Sequence, residues 1–136
     1  MSQTNLQSAP QSALVVDDDE FSREILRKNL LQMGVAEVAL ASNGLDGVAV
    51  LDRLVNTPDF LICDIFMPDM DGIEFIAELS RRNYSGGLIL MTGVNLDMLD
   101  VALDIATLHG LRVLGCFTKP LKRELLRQAL GLTSPD

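Results

Sequence analysis

Five short apolar runs alternate with longer segments of helical period, and this alternation limits the available folds more than any other feature. The runs are Ala13–Val16, Glu37–Ala41, Phe60–Cys63, Leu88–Met91 and Arg112–Phe117. Most of them are almost continuously apolar, as in strands that are covered on both faces of a parallel sheet. Five such strands, joined through helices by short connections, predict one α/β domain with a parallel sheet wound by right-handed crossovers.

The segments between the runs carry apolar residues at helical spacing. These patterns span Phe21–Leu30, Leu45–Leu51, Ile73–Leu79, Leu96–Leu108 and Leu121–Leu130. Gly34 is expected to end the first helix, because glycine readily adopts the left-handed conformation found at helix ends. Asp19 and Glu20 are expected to cap the start of the same helix and to face the positive end of its dipole. Asp69 and Asp71 lie in a turn rich in Pro and Gly, where local hydrogen bonding explains their presence.

The overall charge narrows the classes of function. The 136 residues carry a formal net charge of −8, and 48% of them are apolar, an ordinary share for one globular domain. A surface this acidic repels phosphate backbones and anionic lipids, so direct binding to nucleic acid or to membranes is not expected. Cys63 and Cys116 lie within apolar runs and have no metal-binding pattern around them, which predicts buried free thiols.

Both ends of the chain are polar. Residues 1–11 have no basic segment followed by an apolar stretch, which indicates a flexible tail rather than a signal peptide. No run approaches the roughly 18 apolar residues of a membrane span. We therefore expect a cytoplasmic protein with one folded domain over residues 12–131 and a second tail over residues 132–136.

Polar residues stand where the candidate strands end. Asp17 and Asp18 follow the first run, Asp64 follows the third, Thr92 follows the fourth, and Lys119 comes shortly after the fifth. In open parallel sheets, ligands bind beyond the carboxyl ends of the strands, at the point where strand order changes direction. We therefore expect these five residues, from four separate places in the sequence, to converge on one patch.

The residue types in that patch indicate phosphoryl chemistry on a metal site. Converging carboxylates repel one another, and a divalent cation resolves the conflict. A ligand set made only of oxygen favours Mg²⁺ over Zn²⁺. A metal alone needs neither the hydroxyl of Thr92 nor the ammonium of Lys119, but a phosphoryl group on a carboxylate needs both. Asp64 is the best candidate for a nucleophile that forms an acyl phosphate, because it is followed by an open loop.

Four segments carry a family resemblance that covers nearly the whole chain. They are VVDDDEFSR, DIFMPDMDG, LILMTG and FTKPL, in that order. With them, the sequence resembles the receiver domain of a two-component response regulator. The resemblance implies a flavodoxin-like (βα)5 fold, doubly wound, with strand order 2-1-3-4-5. It also implies a sensor histidine kinase or a phosphotransfer protein as the phosphoryl donor.

The resemblance assigns a role to each residue of the patch. Asp64 would be the phosphoacceptor and a ligand of Mg²⁺. Asp18 would bind Mg²⁺ directly and Asp17 through water, while the backbone carbonyl of Phe66 would complete the protein ligands. The two remaining patch residues, Thr92 and Lys119, would hydrogen-bond and pair with the phosphoryl oxygens.

The sequence departs from the family pattern in the region of the last strand. Many receivers have an aromatic residue three positions before the lysine, and that residue moves inward on phosphorylation. Cys116 stands there in this chain, and Phe117 is expected to face the other side of the sheet. The segment from Thr92 to Lys119 is also longer than usual. It is similar to the corresponding part of receivers attached to EAL-type cyclic-di-GMP phosphodiesterases, so an EAL-type output domain or partner is one hypothesis.

Three further interpretations follow from the sequence. Without a bulky aromatic at Cys116, the signal is expected to leave through Leu96–Leu108 and the loop Gly93–Asn95, towards an output partner or a homodimer. A haloacid-dehalogenase-like phosphatase is an alternative, but the expected second acid two residues after Asp64 is replaced by Phe66. A docking module that is never phosphorylated is the other alternative, although such modules usually lose one of the key residues.

Overall fold

Five parallel strands form the centre of the molecule, in a computed structural model that describes residues 10–67, 70–93 and 96–132. The strands are β1 (Ser12–Val16), β2 (Glu37–Ala41), β3 (Phe60–Asp64), β4 (Gly87–Thr92) and β5 (Arg112–Thr118). The helices are α1 (Glu20–Gln32), α2 (Gly44–Arg53), α3 (Gly72–Arg81), α4 (Leu96–Leu108) and α5 (Arg123–Ala129). The sheet order is β2-β1-β3-β4-β5, which confirms the flavodoxin-like fold and its strand order.

The order of the elements agrees with the sequence patterns, with small changes at their ends. Strands β3 and β4 extend to Asp64 and Thr92, so two of the patch residues are themselves the last residues of strands. The fifth helix begins at Arg123 and not at Leu121, and Leu121 packs into the core ahead of the helix. The predicted tails fall largely on residues 1–9 and 133–136, which lie outside the described residues, as do Asp69 and residues 94–95.

Side-chain caps explain where three of the helices begin. Asp19 caps α1 and Asn43 caps α2, each by accepting a hydrogen bond from a backbone amide of the first turn. Asp71 caps α3 in a reciprocal box with Glu74. Gly34 follows α1 with φ of 101°, the left-handed conformation expected of it. The structural roles predicted for Asp19 and Asp71 are therefore confirmed.

Two apolar clusters fill the space on the two faces of the sheet. One cluster joins the sheet to α2, α3 and α4 and includes Phe75, Ile76 and Ala102. The other joins it to α1 and α5 and includes Leu30 and Leu126. Strands β3 and β4 are buried along their whole length, whereas the edge strands β2 and β5 are partly exposed. The buried central strands give the site a rigid support.

An irregularity in β5 was not expected from the sequence. Leu88 pairs with Val113 and the next residue, Ile89, pairs with Gly115, so Leu114 is an extra residue in the strand. A side chain at Gly115 would meet the ring of Phe117, which lies over this glycine. The bulge therefore adds one residue to β5 ahead of Lys119.

The side chains of β5 confirm one prediction and correct another. Cys116 packs with the cluster that contains α4, and Phe117 packs with the cluster that contains α5, so they face opposite sides as expected. Cys63 is buried and Cys116 is only half-buried, because β5 is an edge strand. The prediction that both thiols are buried was therefore wrong for Cys116. Within the described residues, no helix is long and apolar enough to cross a lipid bilayer.

Candidate functional site

The structure brings the predicted patch residues together at the carboxyl ends of the strands. Carboxylate oxygens of Asp17, Asp18 and Asp64 all lie within 4.8 Å of one another. Asp17 and Asp64 are buried, while Asp18 is exposed at the surface. Thr92 is fully buried at the end of β4. The convergence predicted from the sequence therefore holds, with Asp18 on the solvent side of the group.

Lys119 bridges two of the acidic residues, Asp17 and Asp64. Its Nζ donates a hydrogen bond of 3.0 Å to Asp64 Oδ2 and one of 3.2 Å to Asp17 Oδ1. The same ammonium lies 2.9 Å from Asp17 Oδ2, as an ion pair without hydrogen-bond geometry. The backbone N–H of Lys119 donates to the Thr92 carbonyl at 2.9 Å, which joins the end of β5 to the end of β4.

Backbone hydrogen bonds of the loop after β3 help to hold the Asp64 carboxylate in place. The N–H of Phe66 donates to Asp64 Oδ1 at 3.1 Å, so each oxygen of this carboxylate has a hydrogen-bond donor. Further along, the N–H of Gly72 donates to the Ile65 carbonyl at 2.8 Å. A Cβ at Gly72 would lie 2.7 Å from Ile65 Cα, so only glycine permits this close approach.

The loop after β1 is held by contacts that the sequence did not predict. The N–H of Asp17 donates to the Ala41 carbonyl at 3.1 Å, and the N–H of Asp19 donates to Asp17 Oδ1 at 2.9 Å. Arg23, on α1, donates from Nη1 to the Asp17 carbonyl at 2.8 Å. The sequence gives no signal for Arg23, because contact with a backbone carbonyl requires no particular partner residue type.

Burial and pairing set the charges of the site. Burial is the largest influence on Asp64 and raises its pKa above the ordinary value, although hydrogen bonding and charge from Lys119 oppose this. For Lys119, burial lowers the pKa, but hydrogen bonds to Asp17 and Asp64 outweigh it and the net pKa is raised. Lys119 therefore stays charged near neutral pH, where it can attract an anionic group.

The oxygen atoms grouped at the site suit a hard divalent cation as ligands. Asp17 Oδ2 is buried and, within the described residues, accepts no hydrogen bond. The Lys119 ammonium pairs with this oxygen but is shared with Asp64, so it offsets only part of the cost of burying both carboxylates. Three carboxylates face one ammonium, so the group has an excess of negative charge. These oxygen ligands, with one side of the site open, suit Mg²⁺ with several bound waters.

Asp19 is excluded from the acidic group by its role at the helix start. Its carboxylate accepts hydrogen bonds from the N–H of Phe21 at 3.2 Å and from Ser22 Oγ at 2.9 Å. The hydrogen bond from Ser22 is the main reason why the pKa of Asp19 is lowered. The pair of Asp17 and Asp19, which has the spacing of a phosphatase nucleophile and its acid, is therefore not arranged for that chemistry.

Comparison with known proteins agrees with this arrangement. The family model of the response regulator receiver domain matches residues 13–131. A crystal structure of a response regulator from Colwellia psychrerythraea is 32% identical, with a TM-score of 0.75, over 90% of this chain and 95% of that one.

Two curated relatives share the same region. The protein named "Probable C4-dicarboxylate response regulator DctR" from Priestia megaterium is 31% identical over 88% of this chain, which spans only 50% of that protein. The chemotaxis protein CheY of Listeria monocytogenes is 33% identical over 60% of this chain and 66% of its own length. Since the family model covers nearly all of the folded region, the chain belongs to the receiver domain family of two-component response regulators.

Proposed function

We propose that the chain is a phosphorylation-dependent switch in which Asp64 accepts a phosphoryl group from a sensor histidine kinase or a phosphotransfer protein. The observation that carries the proposal is the position of Asp64 at the end of β3, with Lys119 on one carboxylate oxygen and acidic neighbours within 4.8 Å. Such a protein is a switch and not an enzyme that acts on other substrates, since it catalyses only its own phosphorylation and its own dephosphorylation, which returns phosphate to solvent.

The proposed reaction is a displacement at phosphorus. One oxygen of Asp64 forms a bond to the phosphorus of a phosphohistidine, and the bond from phosphorus to the imidazole nitrogen breaks, returning its electron pair to the donor. Lys119 moves from pairing with the carboxylates to pairing with a phosphoryl oxygen, and the hydroxyl of Thr92 donates to another. The product is an acyl phosphate on the end of a buried strand.

The proposed metal ligands are Asp17, Asp18, Asp64 and the backbone carbonyl of Phe66, with Asp17 acting through water. Bound Mg²⁺ would supply neutralisation of the charge that accumulates between the carboxylates and the phosphoryl oxygens. Support for this set comes from the grouped carboxylate oxygens and from the buried oxygen of Asp17 that accepts no hydrogen bond among the described residues.

An apolar rim beside the site supports docking of a protein donor. A shallow pocket of about 130 Å³ is lined by Phe21, Ile25 and Leu121, with Lys119 at its edge. Phe21 is 72% exposed, and it lies three residues after Asp18, at the start of α1. We expect Phe21→Ala to slow transfer from a phosphohistidine protein while leaving labelling by acetyl phosphate unchanged. Equal rates of transfer from the phosphohistidine protein to the wild type and to Phe21→Ala would argue against docking at this rim.

The proposed output surface is α4. Leu99 and Ala102 are buried against the sheet. The exposed side of the helix carries three apolar residues, Leu96, Val101 and Leu108, next to the carboxylates of Asp97, Asp100 and Asp104. Movement of Thr92 and Lys119 towards a phosphoryl group would bias this helix and the loop before it. The exposed side would then meet an output partner, for which a second copy and an EAL-type domain are two hypotheses. Beryllofluoride bound at Asp64 should perturb the amide signals of α4, and unchanged signals would argue against this relay.

The decisive experiment is intact-mass measurement after incubation with acetyl phosphate and Mg²⁺. The proposal predicts one stable phosphate on the wild type and none on Asp64→Asn. Undiminished labelling of Asp64→Asn would overturn the acceptor assignment. Release of phosphate without accumulation of a labelled protein would favour a phosphatase, and a wild type that shows neither labelling nor release would favour a docking module.

A further inference from the structure

We propose that Arg23 is a positioning residue for the Mg²⁺ site, which it serves by holding the peptide unit between Asp17 and Asp18. This inference rests on the proposed function of the acidic group. Arg23 is the fourth residue of α1, and it reaches back to donate from Nη1 to the Asp17 carbonyl at 2.8 Å. The bond is short and is made by a charged donor, which places it among the stronger hydrogen bonds of proteins.

The residues after β1 need such an anchor because regular structure does not hold them. Strand β1 ends at Val16 and α1 begins at Glu20, so Asp17 and Asp18 belong to neither element. Asp17 is fixed at its N–H by the Ala41 carbonyl and at its side chain by Lys119. Its carbonyl would have no partner in the described part of the chain if Arg23 were absent.

The Asp17 carbonyl matters because of the residue that follows it. The carbonyl of Asp17 and the N–H of Asp18 belong to one planar peptide unit, so fixing the oxygen restricts the position of the Asp18 Cα, from which the carboxylate side chain projects. Asp18 is exposed, and no hydrogen bond to its side chain is seen among the described residues. The orientation of its carboxylate therefore depends on the backbone before and after Asp18. Arg23 holds the backbone before it, at the Asp17 carbonyl.

Two effects of Arg23 on a bound cation have opposite signs. Its positive charge repels Mg²⁺, so losing the charge alone would tighten binding. Its hydrogen bond orients a ligand, so losing the anchor would weaken binding. The hydrogen bond is a direct contact of a half-buried side chain, whereas the repulsion acts over a longer distance at an open site and is screened by salt. At physiological ionic strength we therefore expect weaker binding when Arg23 is removed.

The same helix offers a matched control. Arg27 stands one turn further along α1 and pairs with Glu24, at 3.3 Å on the surface. It carries the same charge on the same helix, but among the described residues no hydrogen bond or ion pair joins it to the loop that holds Asp17 and Asp18. Arg27→Ala therefore removes an arginine without removing the anchor.

The test is calorimetric titration of the full chain with Mg²⁺ at physiological ionic strength. Arg23→Ala should weaken Mg²⁺ binding by about tenfold, the lower end of the loss expected when a ligand-orienting partner is removed. Arg23→Lys should weaken it by about threefold, because an ammonium keeps the charge but not the planar donor geometry. Arg27→Ala should match the wild type. The melting temperature of each variant without Mg²⁺ shows whether it is folded.

A second measurement separates this inference from the proposed function. In labelling by acetyl phosphate, Arg23→Ala should raise the Mg²⁺ concentration for half-maximal rate by the same factor as the calorimetric loss. Affinity equal to or tighter than that of the wild type, in Arg23→Ala or in Arg23→Lys if the alanine variant does not fold, would overturn the role of Arg23. A wild type that binds Mg²⁺ but is never labelled would overturn the proposed acceptor and leave the calorimetric result for Arg23 standing.

Discussion

The molecule contains two groups of paired charges that differ in nearly every respect. The site cluster consists of Asp17, Asp18, Asp64 and Lys119 at the ends of the strands. The surface cluster consists of Asp52, Glu78, Arg81 and Arg82, where α2 and α3 end next to one another. The site cluster sets three carboxylates against one cation and is mostly buried. The surface cluster sets two carboxylates against two cations.

The surface cluster is satisfied by its own members. Arg82 donates to both oxygens of Asp52, at 2.9 and 3.2 Å, and also to Glu78. The hydrogen bond from Arg82 is the main reason why the pKa of Asp52 is lowered. Every charge has an opposite partner and most of the side chains reach solvent. Such a group can hold two helices together, but it has no charge left over with which to bind a ligand.

The site cluster is left incomplete by the fold. Asp17 Oδ2 is buried and accepts no hydrogen bond within the described residues, with the Lys119 ammonium beside it only as an ion pair, and burial raises the pKa of Asp64. Proteins rarely leave buried charges in this condition unless a ligand completes them. An imbalance of charge within a buried group, rather than the presence of charge, is therefore what distinguishes the functional group from the structural one.

The largest predicted effect is the loss of the only cation in the site cluster. Lys119→Met leaves Asp17 and Asp64 buried without their partner, which should lower the free energy of unfolding by about 3–5 kcal/mol. Urea denaturation with a chelator present measures this. Saturating Mg²⁺ should restore part of the loss, because it neutralises the same carboxylates. A loss below about 1 kcal/mol would mean that the site cluster resembles the surface cluster in strength.

The second prediction concerns which carboxylates are needed for stabilisation by Mg²⁺. Mg²⁺ at about ten times its dissociation constant should stabilise the wild type by about 1.4 kcal/mol. Asp18→Ala should abolish most of this gain. Asp19→Ala should lose about 1 kcal/mol from the cap of α1 with or without Mg²⁺, yet keep the gain. Melting curves with and without Mg²⁺ test both variants, and loss of the gain in Asp19→Ala alone would show that the wrong carboxylate was assigned.

The third prediction concerns how the stability cost of burying the Asp64 carboxylate changes with pH. Its pKa is raised on folding, so the folded state holds the proton more tightly and an ionised Asp64 costs stability once the pH is above the folded pKa. Without metal, Asp64→Asn should therefore stabilise the protein near neutral pH. The gain should disappear as the pH falls below the ordinary Asp pKa, where both states are protonated. Urea titrations across that range measure it, and a gain that is constant with pH would contradict this explanation.

The sequence predicted the site cluster better than the contacts that support it. The convergence of Asp17, Asp64 and Lys119 follows from a general rule, because parallel strands direct their carboxyl ends to one edge of the sheet. Arg23 could not be predicted in this way, since any residue type offers it a carbonyl. The extra residue at Leu114 was also missed, because a bulge leaves the apolar pattern of β5 almost unchanged.

The smallest predicted effect belongs to the surface cluster. Arg82→Met removes two ion pairs at once, yet it should cost less than about 1 kcal/mol, because exposed pairs gain little over hydration and the methionine keeps most of the apolar stem. It should leave Mg²⁺ affinity and labelling at Asp64 unchanged, since no member of the surface cluster contacts a member of the site cluster among the described residues. Urea denaturation at low and at high salt provides the measurement, with a larger loss at low salt. A loss as large as that of Lys119→Met would show that balance of charge, rather than burial, decides how strongly a charged group stabilises this fold.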